Sequence, residues 1–437
     1  MFPLFGTDGI RKAIGKEPLT PDGLFNLGKA LGKWLTQTTS TPTIALGHDT
    51  RYSSSLCKAA LKTGLLCYPV TLLDYCVVPT PVLFHRVSKQ DFTLGIMITA
   101  SHNPSSDNGI KLFTQEGKLS KKTEKIITGL FYETDQKINY EHLGRESYCN
   151  DTPEQYTQLL EQQFEKKFLK GLKIVIDCAN GAYSQLAPQI LKLFGAEVIT
   201  LSVTPNGKNI NANCGSLYPQ NLQKEVIKQN AHFGFAFDGD GDRVVAVSKK
   251  GELKNGDDLL ALLSGHKAYE SQSVIIGTVM SNEGLADYFT KKNKTFLRTP
   301  VGDKYVIQEL KKQKAFLGGE ISGHTILGDF GYTADGLFTA LRLIQLVQET
   351  NNWKMKSFKK FPQVMINVPV IHQKDLTQEP FFNLINEYEQ SLQGGRLLIR
   401  YSGTEPVLRV MVETADLKQA EQVGQNLSQK LTVMLQS

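Results

Sequence analysis

A strand–turn–helix–strand plan recurs three times along this chain, and this recurrence limits its possible folds more than any other sequence feature. In each copy, a β-branched apolar run precedes a turn of small polar residues, a helical stretch and a second apolar strand. The copies begin at Thr43, Lys173 and Ser273. Starts that lie about 100 to 130 residues apart indicate repeated domains built from parallel βα units. Three unrelated βα units are the alternative interpretation.

The length of the chain also indicates several domains. A chain of 437 residues is too long for a single core, and 41 % hydrophobic with 21 % charged residues is typical of globular proteins. After Pro362, strands and helices alternate over about 70 residues, which predicts a small α+β domain. The predicted boundaries are 1–152, 153–251, 252–362 and 363–437. We therefore predict an α/β fold with three related α/β domains, each with a mixed sheet, and a smaller α+β C-terminal domain around a central cleft.

Several classes of protein are disfavoured by the composition. The first residues lack the basic and apolar regions of a secretory signal, and no apolar run approaches the roughly 18 residues of a membrane span. The six cysteines form no C-x-x-C pair, which fits neither a zinc site nor a disulfide framework. The net charge of +6 is spread over polar faces rather than clustered as nucleic-acid binding requires. We expect a soluble, cytoplasmic protein with reduced thiols that binds neither membranes nor nucleic acid.

Three carboxylates follow a predicted strand at alternate positions: Asp238, Asp240 and Asp242. The glycines between them permit the positive-φ backbone that lets the carboxylates converge, and hard divalent cations prefer such oxygen ligands. An EF-hand would need Gly at loop position six and Glu at position twelve, where this chain has Arg243 and Lys249. A solvated acidic turn is the alternative, although three like charges within five residues repel one another. The pattern predicts a metal site.

A hydroxyl group follows another predicted strand. Leu94 to Ala100 read as a buried strand that leads to Ser101, and His102 and Lys111 are close enough in sequence to polarise the hydroxyl. Open α/β sheets place their ligands at the carboxyl ends of strands. Ser101 is therefore a candidate nucleophile, and a turn or N-cap serine is the alternative.

Two further loops carry side chains that could bind sugar hydroxyls or a phosphate group. In the segment 318–324, Glu320, Ser322 and His324 could grip sugar hydroxyls and shuttle a proton, although a histidine in a glycine-flanked loop is often only exposed. In the segment 400–409, two guanidiniums, two hydroxyls and the N–H groups around a glycine suit a phosphate dianion. The residues concerned are Arg400, Ser402, Gly403, Thr404 and Arg409. Pairing of one arginine with Glu405 or Glu413 is the alternative.

These four segments, in this order, resemble the four active-site loops of the α-D-phosphohexomutase superfamily across essentially the whole chain. The chain is most similar to the branch that acts on glucosamine phosphates. Four segments carry that likeness: Phe5-Gly6-Thr7-Asp8-Gly9-Ile10-Arg11, Ala100-Ser101-His102-Asn103-Pro104 with 107–111, the double glycine before Glu320, and Ser402-Gly403-Thr404-Glu405-Pro406. The mannose and glucose branch usually has Asn where Gly403 stands. Two positions depart from the glucosamine pattern, Ile321 for the usual Gln and Lys304 for the usual Arg.

The resemblance implies a role for each group of residues. Ser101 would carry the phosphoryl group, and Asp238, Asp240 and Asp242 would hold one Mg²⁺ with an oxygen of that phosphoserine. Arg243 would lie beside them, and Lys111 and His324 would be candidates for general acid and base. Glu320 and Ser322 would hold the sugar, and the segment 400–409 would hold its other phosphate. Thr7, Arg11, His102 and Asn103 would support the site.

The implied reaction interconverts glucosamine 6-phosphate and glucosamine 1-phosphate through a 1,6-bisphosphate. Its product is a precursor of UDP-N-acetylglucosamine and of peptidoglycan. The implied partners are a hexosamine phosphate, a priming kinase or glucosamine 1,6-bisphosphate as activator, and a second copy in a homodimer. Three alternatives stay open: a mutase for mannose or glucose phosphates, a non-catalytic sugar-phosphate sensor, and a metal-dependent phosphatase.

Overall fold

A computed structural model describes residues 4–6, 8–133, 138–149, 151–392, 394–402 and 406–436. The chain divides into two compact units. The first comprises Met1–Met280 with Leu297–Lys356, and the second comprises Ser281–Phe296 with Ser357–Ser437. None of the described helices is long and apolar enough to cross a membrane. The six cysteines are free thiols, as predicted.

The first sheet of the first unit has seven strands in the order β1-β5-β4-β2-β3-β7, with β6 beside β5. Its strands are β1 Ile10–Ala13, β2 Thr43–His48, β3 Thr71–Val77, β4 Leu94–Ile98, β5 Asp107–Thr114, β6 Gly117–Lys118 and β7 Arg145–Tyr148. The surrounding helices are α1 Pro21–Thr38, α2 Ser54–Leu66, α3 Thr80–Lys89 and α4 Lys121–Phe131. Strand β2 runs parallel to β3 and β4, whereas β5 runs antiparallel to β4, so the sheet is mixed as predicted.

A second sheet follows helix α5 Thr152–Glu161. Its elements are β8 Lys173–Asp177, α6 Tyr183–Leu193, β9 Glu197–Leu201, α7 Gln220–Lys228, β10 Phe233–Phe237, β11 Val244–Ser248 and β12 Leu253–Lys254. The strand order is β12-β11-β10-β8-β9, with β10 parallel to β8 and antiparallel to β11. Every residue of β10 and β11 is buried, which explains their continuous apolar sequence. The turn between these two strands carries the three aspartates.

A third sheet has the strand order β14-β13-β15-β16. The elements of this region are α8 Gly256–Leu263, β13 Val274–Thr278, α9 Glu283–Lys291, β14 Thr295–Thr299, α10 Asp303–Gln313, β15 Leu317–Gly319, β16 Thr325–Leu327 and α11 Gly336–Thr350. Helix α9 belongs to the second unit, and the boundary between the units falls within β14. Helix α8 begins with a capping box in which Asn255 and Asp258 satisfy each other's backbone N–H groups.

The remainder of the second unit is a three-stranded antiparallel sheet with two helices. Its elements are β17 Gln363–Pro369, α12 Phe381–Ser391, β18 Arg396–Tyr401, β19 Val407–Glu413 and α13 Leu417–Gln436. The central strand is β19, and its buried side chains pack with those of α13 into a separate apolar core. The α/β fold class is confirmed, together with the strands and helices predicted for the three repeats and for the C-terminal segment.

Candidate active site

Ser101 lies three residues beyond the end of β4, in a tight and buried turn. Its φ is 52°, and its side chain is 1 % exposed. A positive φ at a residue other than glycine costs free energy and concentrates at functional sites. The Oγ atom of Ser101 donates a hydrogen bond of 2.6 Å to Oδ2 of Asp238. The structure therefore brings together the predicted nucleophile and the predicted metal loop, which lie 137 residues apart in sequence.

Two buried side chains that the sequence did not single out hold the Ser101 turn in place. Arg51 donates to the carbonyl oxygens of Ser101 and Asn103 at 2.9 and 2.8 Å. Asn211 donates to the same two oxygens at 2.8 and 3.1 Å. The charge of Arg51 is balanced by Asp49 at 2.9 Å. A buried carbonyl without a donor would be costly, so these contacts fix the backbone that carries the nucleophile.

The three aspartates converge because of the glycines between them. Each carboxylate contributes an oxygen that lies within 4.8 Å of the other two. The N–H groups of Gly241 and Arg243 both donate to Oδ1 of Asp238 at 3.1 Å, which folds the turn onto its first aspartate. Gly241 has a φ of 79°, which favours glycine. A Cβ atom at Gly239 would lie 2.6 Å from the carbonyl oxygen of Ser101, so glycine permits the close approach of the two loops.

The charges of this cluster suit a divalent cation. Burial, together with the carboxylates of Asp242 and Asp240, raises the pKa of Asp238 well above its usual value. Lys111 places its ammonium 2.8 and 2.7 Å from Oδ2 of Asp240 and Asp242. The Oδ1 atoms of Asp240 and Asp242 are buried and have no hydrogen-bond partner among the described residues. Oxygen ligands grouped this closely fit a hard ion such as Mg²⁺.

Thr80, the first residue of α3, also contacts the metal loop, although the sequence did not single it out. Its hydroxyl donates to Oδ2 of Asp240 at 2.5 Å, and its N–H donates to the carbonyl oxygen of Asp240 at 2.9 Å. These contacts fix both the backbone and the carboxylate of one aspartate. The sequence carried no signal for them, because Thr80 and Asp240 lie 160 residues apart.

His324 is buried beside the aspartates rather than exposed on a loop. Its Nε2 lies 3.6 Å from Oδ2 of Asp242 and 3.7 Å from Oδ2 of Asp303. Burial opposes its protonation, but Asp242 and Asp303 raise the pKa of His324 to about 9. Its Nδ1 has no hydrogen-bond partner in the part of the chain that the structure describes. A protonated ring with one nitrogen uncommitted is suited to proton transfer.

The other predicted residues of this segment lie around the same centre. Glu320 is 8 % exposed and accepts a hydrogen bond of 2.9 Å from the N–H of Gly302, whereas Ser322 is half-buried. The Nε atom of Arg243 is buried and has no hydrogen-bond partner in the described ranges. Burial opposes a charge on Lys111, but Asp240 and Asp242 raise its pKa well above the usual value. Lys111 therefore stays cationic and supplies charge to the site.

The predicted support residues form a polar layer next to Ser101. Arg11 donates to Asn103 at 3.2 Å and pairs with Asp8 at 3.1 Å. His102 places Nδ1 3.3 Å from Oγ of Ser101, and burial, with Arg243 and Arg11, lowers the pKa of His102 to about 4. The imidazole beside Ser101 is therefore uncharged near neutral pH. Thr7, which the resemblance implied as a further support residue, lies outside the described residues.

Lys304, which departs from the usual sequence pattern, does not reach the aspartates. It is 9 % exposed, and its Nζ donates to the carbonyl oxygen of Leu119 at 3.1 Å and to Oε1 of Glu124 at 3.3 Å. Both partners belong to the region of the first sheet, whereas Lys304 lies on α10. This substitution therefore affects how two regions of the first unit join rather than how the metal loop is built.

The second unit carries the predicted phosphate-binding residues. Arg400 and Arg409 lie directly opposite each other on β18 and β19. Arg400 is exposed, Arg409 is half-buried, and Ser402 is 6 % exposed. Like charges directly opposite one another destabilise an antiparallel pair. The carboxylate of Glu413 accepts from Arg396 at 2.8 Å. Gly403 and Thr404 lie outside the described residues.

Family models account for almost the whole chain. The three phosphoglucomutase/phosphomannomutase alpha/beta/alpha domain models match in order, domain I at residues 3–137, domain II at 154–251 and domain III at 255–363. The C-terminal domain model of the same group matches residues 365–430. The chain is 40 % identical over 435 residues to phosphoglucosamine mutase of Carboxydothermus hydrogenoformans. The aligned region covers 97 % of this chain and 98 % of that protein. It is also 40 % identical to the Acinetobacter baylyi phosphoglucosamine mutase, over 98 % of both chains.

Solved structures share the fold. A phosphoglucomutase/phosphomannomutase family protein from Burkholderia thailandensis has a TM-score of 0.82 at 23 % identity, over 99 % of this chain and 97 % of that one. The Aspergillus fumigatus N-acetylphosphoglucosamine mutase, solved in complex with GlcNAc-6P and magnesium, has a TM-score of 0.65 at 15 % identity, over 99 % of this chain and 96 % of that one. At these identities the likeness shows the fold alone.

Proposed function

The chain belongs to the phosphoglucomutase/phosphomannomutase family, and we propose that it interconverts glucosamine 6-phosphate and glucosamine 1-phosphate. The relatives that are 40 % identical over nearly the whole chain are phosphoglucosamine mutases. The single observation that carries the proposal is the 2.6 Å hydrogen bond between Oγ of Ser101 and Asp238. It joins a hydroxyl that can carry a phosphoryl group to a cluster that can hold a divalent cation.

The proposed cycle begins with the phosphorylated form of Ser101. The free hydroxyl of glucosamine 6-phosphate forms a bond to phosphorus while the bond from phosphorus to Oγ of Ser101 breaks. The sugar hydroxyl gives up its proton and Oγ of Ser101 takes one up, so no net proton is released, and the product is glucosamine 1,6-bisphosphate. This intermediate turns end for end, its 6-phosphoryl group returns to Ser101, and glucosamine 1-phosphate leaves. That product is a precursor of UDP-N-acetylglucosamine and hence of peptidoglycan.

The residues around Ser101 can serve both transfers. Arg51 and Asn211 hold the serine backbone, so Oγ stays aligned for in-line displacement. Lys111 and Arg243 place positive charge where the transferring group must develop negative charge. His324 is the better candidate to donate a proton, because its ring is cationic and its Nδ1 has no hydrogen-bond partner among the described residues. Glu320 and Ser322 are the proposed contacts to the sugar hydroxyls.

A magnesium ion fits the acidic cluster. Asp238, Asp240 and Asp242 would hold it with an oxygen of the phosphoserine, and it would neutralise charge on the phosphoryl oxygens. The two unpartnered Oδ1 atoms of Asp240 and Asp242 support this assignment. A phosphoserine adds about −1.5 to −2 charge at neutral pH. Three buried aspartates beside that charge need a cation for the phosphorylated enzyme to be stable.

The non-reacting phosphate is assigned to the second unit. We propose that Arg400 and Arg409 hold it with Ser402, Gly403 and Thr404. The four modules proposed for the chain are 1–152, 153–251, 252–362 and 363–437. We also propose priming by glucosamine 1,6-bisphosphate or by a kinase, a cytoplasmic location, and a homodimer as the assembly.

The substitution Ser101→Ala tests the mechanism. A coupled assay for glucosamine 1-phosphate is expected to show turnover reduced at least about a thousandfold, because no side chain remains to carry the phosphoryl group. Glucosamine 6-phosphate binding, measured by calorimetry, is expected to persist. Undiminished conversion by this variant would remove the phosphoserine mechanism.

Two further measurements separate the alternative functions. A phosphatase would release inorganic phosphate in step with substrate loss, and a sensor would bind substrate without turnover. We expect neither result from the wild-type enzyme. The value of kcat/KM for glucosamine, glucose and mannose 6-phosphates, each primed with its own bisphosphate, is expected to be highest for glucosamine. A preference for mannose or glucose would assign the chain to the other branch.

A further inference from the structure

A buried carboxylate far from the aspartate loop in sequence connects three regions of the first unit. Asp335 is 3 % exposed and is the N-cap of α11, where its Oδ1 accepts from the N–H of Phe338 at 3.0 Å. Tyr156 of α5 donates to its Oδ2 at 2.8 Å, and Tyr183 of α6 donates to its Oδ1 at 3.2 Å. His85 of α3 places Nε2 3.3 Å from Oδ2. We name Asp335, Tyr156, Tyr183 and His85 the Asp335 hub.

One route from the hub to the metal loop runs through Tyr183. Its ring lies so close to Gly241 that a Cβ atom there would be 2.3 Å from the ring carbon Cε2. The same ring packs on Phe237, the last residue of β10, with centroids 5.1 Å apart. Tyr183 therefore supports the turn that carries the three aspartates, and its hydroxyl is held by Asp335.

A second route runs through the first turn of α11. The N–H of Gly336, the residue after Asp335, donates to the carbonyl oxygen of Gly241 at 3.1 Å. A Cβ atom at Gly336 would lie 2.8 Å from the carbonyl oxygen of Arg243. The helix start and the metal loop are thus in direct backbone contact, and the Asp335 cap fixes the start of that helix.

A third route runs along α3. This helix begins at Thr80, whose hydroxyl and N–H both bind Asp240. His85 lies on the same helix and touches Asp335, with its ring packed on Phe330 at a centroid distance of 4.3 Å. A change at Asp335 can therefore alter the position of the metal loop through the contacts of three helices, α3, α6 and α11.

The hub is held together by donors that cannot readily lose their protons. Burial, followed by the charge of Asp335, raises the pKa of Tyr156 and of Tyr183 well above the usual value. Both phenols therefore remain hydrogen-bond donors. Removing Asp335 would take away the carboxylate that accepts from both buried phenols.

We propose that Asp335 is a positioning residue, which sets the affinity of the aspartate loop for its divalent cation through Tyr183, Gly336 and the start of α3. Asp335 does not contact the aspartates and takes no part in the chemistry. This inference rests on the proposed function only in taking Asp238, Asp240 and Asp242 as the metal ligands. Groups that orient metal ligands typically change metal affinity by about 10- to 100-fold, and a more remote group should act at the lower end of that range.

Mn²⁺ binding to the full chain tests the proposal without any turnover. We would measure the free ion by electron paramagnetic resonance during titration of the unphosphorylated protein. The variant Asp335→Ala is expected to raise the Kd for Mn²⁺ about tenfold, and Tyr183→Phe, which keeps the ring against Gly241, about threefold. Added Mg²⁺ is expected to restore the turnover of both variants, since only the occupancy of the site is reduced.

A similar pair of residues in the same unit provides matched controls. Tyr269 is 0 % exposed and donates to Oδ1 of Asp329 at 2.6 Å, and Oδ2 of Asp329 pairs with Arg342 of α11 at 3.1 Å. We expect Asp329→Ala and Tyr269→Phe to lower the melting temperature and to leave the Kd for Mn²⁺ unchanged. If Tyr183→Phe binds Mn²⁺ as tightly as the wild type, or no less tightly than Tyr269→Phe, the proposal is wrong. Should Asp335→Ala fail to fold, Tyr183→Phe decides the question.

The test also distinguishes this inference from the proposed function. A mutase that converts glucosamine 6-phosphate but binds Mn²⁺ equally well in wild type and Tyr183→Phe would retain the function and lose the inference. A chain that shows the Mn²⁺ effect but no conversion would retain the inference and lose the function.

Discussion

The two polar regions of this protein are built in opposite ways. Around Ser101 and the aspartate loop, the serine and the three carboxylates are buried, and Lys111 pairs with Asp240 and Asp242 within the same unit. On β18 and β19 of the second unit, Arg400 stands opposite Arg409 near the surface. Yet four residues along β18, Arg396 lies opposite Glu413 and pairs with it at 2.8 Å.

This difference fits the proposed roles, phosphoryl transfer in the first unit and binding of an exchangeable phosphate in the second. A buried site with fixed dipoles and charges can stabilise a transition state without reorganising. Arg400 is exposed and Arg409 is half-buried, so an anion bound between them would stay in contact with solvent. Under the proposed function, Ser101 carries the transferring phosphoryl group, and Arg400 and Arg409 hold the other phosphate.

Among the changes that separate the two regions, removal of the divalent cation is expected to have the largest effect, and it acts on the buried one. Incubation with a chelator should reduce turnover to below about 1 % of the starting value, because the charge on the phosphoryl oxygens would then lose the cation that balances it. Added Mg²⁺ should restore turnover. The measurement is the rate of glucosamine 1-phosphate formation against free Mg²⁺. Full activity in the presence of chelator would contradict the assignment of the aspartates.

Loss of one arginine is expected to give a smaller effect of a different kind. Arg400→Ala or Arg409→Ala should raise KM for glucosamine 6-phosphate about ten- to a hundredfold, since a charge-assisted hydrogen bond contributes about 1.5–3 kcal/mol. The Mn²⁺ affinity should not change. Steady-state kinetics at saturating Mg²⁺ would measure the effect. Arg396→Lys, whose guanidinium pairs with Glu413, is the matched control and should lower the melting temperature without raising KM.

A smaller effect on enzyme activity is expected from a substitution at Thr80. The substitution Thr80→Val keeps the shape of the side chain and removes the hydroxyl that donates to Asp240. We expect half-saturating Mg²⁺ to rise about three- to tenfold, with turnover recovered at high Mg²⁺. A fall in turnover that excess Mg²⁺ does not recover would show that Thr80 acts in some other way.

The smallest effect is expected at Lys304. The substitution Lys304→Arg introduces the residue that the resemblance implies at this position, but the ammonium it replaces faces Leu119 and Glu124. We expect the ratio of kcat/KM between glucosamine and glucose 6-phosphates to stay unchanged. Stability should fall by about 1 kcal/mol, because a bulkier side chain must fit a buried position. A changed sugar preference would show that this region contacts the substrate.

Much of the fold could be predicted from local sequence patterns. The apolar runs Lys173–Asp177 and Phe233–Phe237 became strands as predicted, because β-branched and aromatic runs bounded by turn residues admit few other structures. The convergence of Asp238, Asp240 and Asp242 was also predictable, because their spacing and the intervening glycines are local features.

The supporting contacts of the site could not be predicted. Arg51 and Asn211 reach Ser101 from 50 and 110 residues away. Asp335 reaches Tyr183 across 152 residues. Such contacts depend on how the sheets pack rather than on any local pattern. For Arg51 there was a weak signal, since the segment His48-Asp49-Thr50-Arg51 ends a strand that pairs with β4. His324 was predicted to transfer a proton, with an exposed loop histidine as the alternative, and packing buries it.

The most direct test of the central claim is a distance measurement within one site. Phosphorylated protein loaded with Mn²⁺ can be examined by ³¹P electron-nuclear double resonance, with Ser101→Ala as the control. A strong ³¹P coupling that is absent from Ser101→Ala is predicted, because the phosphoserine should ligate the same ion as the three aspartates. A Mn²⁺ signal from the aspartate loop without ³¹P coupling would contradict it.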